Sequence, residues 1–202
     1  MKGMHKLKLP LMLLILTLSA SGCALTKESV DIRYTPQTDV KMINGASNVE
    51  VNAIVDDNRM VKDKVSSKKN GFGMEMAPIL CNQEISDTLK DAIDDELKNR
   101  GFQIGAGNVV VDVELNTFYN DFKIGFWSGS AVADMQMNVK VKDRAGNILY
   151  TETIQEQNVA KGVQLMSGNN AKLSLEAVLD KAIRKLFDST AFVDSLFKAG
   201  KS

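Results

Sequence analysis

Histidine is almost missing from this chain, and cysteine, tryptophan and long apolar runs are scarce. The one histidine is His5, inside an N-terminal leader that the pattern described below marks for removal. The remainder has none, which excludes a Ser-His-Asp triad, a Cys-His pair and a His-ligated zinc or haem. That absence removes more enzyme classes than any motif present adds. Neither sign of charge is in excess, with 25 basic and 25 acidic residues, so the chain lacks the positive field of a nucleic-acid binder. The apolar run over 9–18 is about ten residues long, against the roughly 20 a spanning helix needs. Pro10 interrupts its start. The apolar share of 44% and charged share of 25% are those of an ordinary globular protein, so one folded core is expected.

The leader is informative. Lys2, Lys6 and Lys8 precede the apolar run, which leads into Leu18-Ser19-Ala20-Ser21-Gly22-Cys23. A basic start, a short apolar middle and small residues before the cut describe a secretory signal. With a cysteine at the first mature position, the pattern resembles the lipobox of bacterial lipoproteins, in which the Cys23 thiol takes the lipid. Ala20 stands where the lipobox usually has Leu. Ala20 and Gly22 also satisfy the ordinary small-x-small rule, under which cleavage after Gly22 releases a soluble protein. The resemblance implies three acyl chains on Cys23, where one alone gives only marginal membrane binding. It also implies the periplasmic face of the outer membrane, because Ala24 replaces the Asp that retains such proteins at the inner membrane.

The expected organisation is a signal peptide over 1–22, a lipidated Cys23 with a flexible tether to 46, and one periplasmic domain over 47–202. If extended, the tether would reach roughly 60–70 Å. Once Cys23 carries lipid, Cys81 has no intramolecular disulfide partner. Ile79 and Leu80 beside it suggest a small buried role, with a reactive thiol as the alternative.

Within the domain, Val49, Val51 and Ala53 alternate toward a turn at Asp56-Asp57-Asn58-Arg59, and a short strand is expected over 61–66. Ser67 to Gly73 reads as a loop, and Pro78 excludes a helix interior there. A helix over 82–100 follows from Ile85, Leu89, Ile93 and Leu97, with Asn82 as N-cap and Gly101 as its stop. Three strands come next. Val109, Val111, Val113 and Leu115 alternate with polar residues, as do Ala131 through Val141, and a third strand covers 148–159. A helix over 170–188 and a short one over 189–198 close the chain. This reads as an α+β two-layer sandwich. Its mainly antiparallel sheet has four to five strands, with two long helices on one face and a short C-terminal helix.

Sites are few. Asp91, Asp94, Asp95 and Glu96 could supply paired carboxylates for glycoside hydrolysis, but the outer face of a helix lacks the desolvated cleft that raises an acid's pKa. Asp56, Asp57 and Asn58 lack calcium-loop spacing, and Ser67 to Gly73 lacks the phosphate-loop pattern. No metal and no cofactor is expected. Tyr119, Phe122, Phe126 and Trp127 concentrate aromatic area around Gly125-Phe126-Trp127-Ser128-Gly129, a connection that should be polar. They form a partner interface if exposed, and the end of the core if buried.

The chain resembles the YajG-like family of bacterial lipoproteins. The resemblance rests on the Val-Asp-Asp-Asn-Arg turn at 55–59, the Leu-Lys-Asn-Arg-Gly-Phe helix end at 97–102 and the Leu-Phe-Asp-Ser-Thr-Ala-Phe segment at 186–192. It implies an envelope lipoprotein and offers no active-site residues. The expected function is a non-enzymatic, membrane-anchored module that binds a periplasmic protein or peptidoglycan, with no nucleic acid involved. The alternatives are a carrier of lipid or hydrophobic ligands and a carboxylate-based hydrolase.

Overall fold

Alternation of apolar and polar residues builds the long strands, and the computed structural model shows where each strand goes. It describes residues 26–125 and 128–201; Cys23, Phe126 and Trp127 lie outside the described residues. The strands are β1 (Glu28–Val30), β2 (Glu50–Asp57), β3 (Ser66–Lys69), β4 (Glu75–Cys81), β5 (Gln103–Ile104), β6 (Val109–Lys123), β7 (Gly129–Lys142) and β8 (Ile148–Val163). The helices are α1 (Ile85–Asn99), α2 (Gly168–Asp188) and α3 (Thr190–Gly200).

The α+β class holds, but the sheet is larger and more mixed than expected. Its eight strands run β1-β4-β3-β6-β2-β5, with β7 on the other side of β6 and β8 beyond it. β2 and β3 share one edge of β6: β2 pairs along 109–115 and β3 at Asn120, both parallel. β1–β4 and β2–β5 are also parallel, while β3–β4, β6–β7 and β7–β8 are antiparallel. β1 and β5 went unseen because two or three residues cannot display a period. The strand expected over 61–66 lies instead at Ser66–Lys69, mostly inside the expected loop, because β3 is polar Ser-Ser-Lys-Lys, and the seven residues of β4 were not read as a strand.

β6 carries a bulge. Its register against β7 shifts between Leu115 and Thr117, so Asn116 is an extra residue. The inward set therefore changes from Val109, Val111, Val113 and Leu115 to Phe118, Asn120 and Phe122. Without the bulge both phenylalanines would face water. All three helices cover this inward face. α1 packs on β2 and β5, and α2 and α3 pack on β6, β7 and β8.

Gly101 ends α1 as expected. It lies at φ 94°, its amide donates to the Lys98 carbonyl at 2.9 Å and that of Phe102 to Leu97 at 3.0 Å, a Schellman closure. The N-terminus differs. The helix begins at Ile85 with Glu84 in the cap position, because Asn82 is spent elsewhere. Its amide donates to Val30 and its side chain to Asp31.

The expected tether is mostly absent. Residues 28–46 belong to the fold: β1 pairs with β4, Ile32 and Ala46 are buried, and the Ile43 amide donates to the Arg100 carbonyl at 2.9 Å. Polar composition concealed this because the segment buries isolated residues rather than a periodic face.

Candidate partner-binding groove

The structure divides the expected aromatic cluster. β6 continues to Lys123 and β7 starts at Gly129, so Tyr119 and Phe122 are strand residues, not loop residues. Phe122 faces the helices and is buried. That corrects its assignment as an interface residue: after the bulge, even positions point inward. Tyr119 faces the opposite side and is half-buried, its hydroxyl donating to Ser67 Oγ at 3.2 Å. Nothing in the described residues bears on Phe126 and Trp127.

Around Tyr119 the family turn builds a groove. Arg59 lays its guanidinium on the Asp57 carboxylate, with Nε to Oδ1 at 2.9 Å and Nη2 to Oδ2 at 2.7 Å. Such a two-pronged pair fixes orientation as well as charge. Burial pushes the Asp57 carboxyl up, but the Arg59 side chain and amide outweigh it and hold the group below its ordinary value. The Asn58 amide meanwhile donates to Leu115 at 2.8 Å, pinning the turn against the bulged strand. The next two residues are thereby held outward: Met60 is 100% exposed and Val61 40%. With Arg59, Lys64, Phe118 and Tyr119 they wall a surface groove of about 320 Å³. Lys64 is paired with Glu75 at 2.5 Å, and that contact raises its pKa.

The central part of the same sheet face is polar and internally satisfied. Lys142 pairs with Asp112, Lys140 with Glu114 at 2.7 Å, Asn138 with Glu114 and Thr153, and Gln157 with Asp134. The groove offers apolar surface beside an aromatic ring, while Ile54 and Met76 are exposed elsewhere on this face. Its sequence signal was the apolar pair Met60-Val61 after a charged turn, of which only Val61 was read, as the start of a short strand.

The acidic cluster does structural work. Asp94 and Glu96, expected on a wet face, are buried. Asp94 accepts from Lys90 at 2.5 Å. Glu96 accepts from the Tyr34 hydroxyl at 2.7 Å and the Gln37 amide at 2.8 Å, and is ion-paired to Arg100. Burial and the Glu96 charge both raise the Tyr34 pKa. Asp91 and Asp95 line a wide, shallow groove along α1. Among the described residues no group of three or more His, Cys, Asp or Glu side chains could hold a metal. Asp57 of the Asp56-Asp57-Asn58 turn is committed to Arg59. Cys81 is half-buried and free, its thiol donating to Gln83 Oε1 at 3.3 Å. The layer between helices and sheet, where a carrier would hold its cargo, is filled by side chains such as Ile93, Leu115, Phe118, Leu175 and Phe192, all at most 2% exposed.

Comparison with known proteins gives a family and one structure of similar fold. The family model Lipoprotein_16, described as an uncharacterised lipoprotein, matches residues 36–196. No curated protein matches. Protein XCC0632 of Xanthomonas campestris superposes with a TM-score of 0.61 at 11% identity, over 88% of this chain and 100% of its own. That similarity extends to the fold alone. A minor lipoprotein of Acinetobacter baumannii gives 0.46 at 9% identity, over 76% and 96%. Lipoprotein GNA1162 of Neisseria meningitidis gives 0.41 at 7%, over 70% and 99%.

Proposed function

The chain belongs to Lipoprotein_16, a family of uncharacterised, membrane-anchored envelope lipoproteins, and on that premise we propose that it is a non-enzymatic binding module. It is held through Cys23 at the periplasmic face of the outer membrane, and it receives an apolar side chain of a periplasmic protein in the Tyr119 groove. The observation that carries this reading is the outward pair Met60 and Val61, fixed beside Tyr119 by the Arg59–Asp57 fork. Exposed apolar anchors on a rigid support are what an interface hot spot needs. A binding role is also favoured by the commitment of Asp57, Asp94 and Glu96 to lysine, arginine and backbone partners.

The test is photocrosslinking in living cells from position 60, with position 173 on α2 as the exposed control. Met60 should trap one protein that Leu173 does not, and Tyr119→Ala should weaken that adduct. Equal labelling from both positions would overturn the reading. An adduct with muropeptides would transfer the groove to peptidoglycan.

A further inference from the structure

We propose that the domain rests its anchor-side end directly on the bilayer, inserting the exposed apolar side chains of Phe72, Met74, Ile124 and Leu165 into the lipid interface. This inference rests on lipidation at Cys23. One row of paired residues crosses the sheet: Glu28, Ile79, Ser66, Asn120, Ala133 and Asn158. On one side of that row lie the β3–β4 tip, the β6–β7 connection and the β8–α2 connection. β1 runs parallel to β4, so the chain enters the sheet from this same side.

The contacts close the end together. The Lys69 amide donates to Met166 Sδ at 3.2 Å, the Gly168 amide to Glu28, and Gly129 pairs with Val163. Each loop then shows water an apolar side chain: Phe72 is 91% exposed, Met74 58%, Ile124 47% and Leu165 71%. The β3–β4 tip has fixed geometry. Asn70 Oδ1 accepts from the amides of Phe72 and Met74, both at 3.0 Å, and Gly73 takes φ 82°, which side chains rarely adopt. The carboxylates nearby are already paired: Glu28 with Lys68, Glu75 with Lys64, and Asp121 with Lys69 and Lys123. Lys27 and Lys161 add exposed positive charge, which suits anionic headgroups.

The length of chain outside the sheet selects the occupant. Four residues separate Cys23 from Glu28, so the two α-carbons can be at most about 18 Å apart. Along β4 the same five steps lead from Ile79 back to Met74, so the anchor cannot reach far beyond the loop tips. Among the described residues no helix is long and apolar enough to cross a membrane. Apolar side chains between lysines insert only about 5–10 Å, to the headgroup–acyl boundary.

The acylated chain, reconstituted in phosphatidylethanolamine/phosphatidylglycerol vesicles, tests this. Leu165→Trp and Ile148→Trp, each combined with Trp127→Phe, place one reporter at each end of the sheet. Both sites are exposed in the parent, so folding is preserved. Brominated lipid should quench the Leu165→Trp reporter by about twofold or more and leave the Ile148→Trp reporter unchanged, as expected for side chains at interfacial depth. Equal quenching, or none, on a vesicle-bound protein overturns the proposal. Emission from position 165 shielded from acrylamide but untouched by brominated lipid assigns the end to a second copy of the chain, which also overturns it. The mass of the N-terminal peptide reads acylation separately. An unacylated chain that is still quenched at 165 rejects the anchor and keeps the docking; an acylated chain that is unquenched does the reverse.

Discussion

Removing the Glu96 carboxylate should cost more stability than any other single change to a charged residue on α1. Its side chain is 0% exposed and that of Arg100 is 7%. Glu96→Ala would leave the Arg100 guanidinium buried beside the Phe187 ring, 4.5 Å from its centroid, without its counter-ion. The Gln37 amide and Tyr34 hydroxyl would lose their acceptor as well. Unsatisfied buried donors cost about 1–3 kcal/mol each, and breaking a buried ion pair from one side costs about 3–5 kcal/mol. These terms overlap, so we expect about 4 kcal/mol in total. Urea unfolding of a Cys23→Ala chain would read this. With a slope of about 2 kcal/mol/M, the midpoint should fall by about 2 M. Trypsin should then cut first at Arg33 and Lys41, because Glu96 clamps the segment that holds them. Replacing both partners, Glu96→Leu with Arg100→Met, should recover about half the loss, since no charge is left unpaired. A single variant within about 0.5 kcal/mol of the parent, or cleavage sites unchanged, would refute the clamp.

Other consequences are open to measurement. Asp57 and Glu28 have folded pKa values below their ordinary ones. Their contribution is therefore complete above the unfolded values near about 4 and is lost as pH falls through the folded ones; Asp57→Asn should flatten the stability profile in that acidic window. Lys181 and Lys185 donate to the Gln157 and Gln155 carbonyls on the unpaired edge of β8. Replacing both with Ala should expose that edge and produce concentration-dependent dimers in sedimentation, because open edges template pairing. Gly101→Ala should destabilise by about 1–2 kcal/mol, since φ 94° suits only glycine and a β-carbon would meet Met42 Cε at 3.2 Å. Cys23→Ala should move the protein from the membrane fraction to the soluble one; unchanged fractionation would reject the anchor.

Legibility followed length and period. Fourteen-residue β7 and the Ile85–Leu97 stripe of α1 declared themselves because many residues repeat one spacing. β1 and β5 have three and two residues, and no period fits into so few. The bulge at Asn116 was invisible because one inserted residue changes phase without changing composition, and it reversed the reading of Phe122. Glu96 was misread for a different reason. A carboxylate looks solvated until its partners arrive, and Tyr34 and Gln37 come from 62 and 59 residues away. Tyr119 was singled out in a loop and turned out to be a strand residue beside a groove whose other wall, Met60 and Val61, was not read as a surface.

The sequence by itself determined the address pattern at Cys23, the helix-plus-sheet class, the strand faces before the bulge and the exclusion of histidine chemistry. Those are local matters of residue type and spacing. Only the tertiary structure decided that residues 28–46 are fold rather than tether, which acids are buried, and which loops share an end with the chain's entry. Each depends on residues far apart in the chain that meet only when the sheet assembles, so no local pattern could record it.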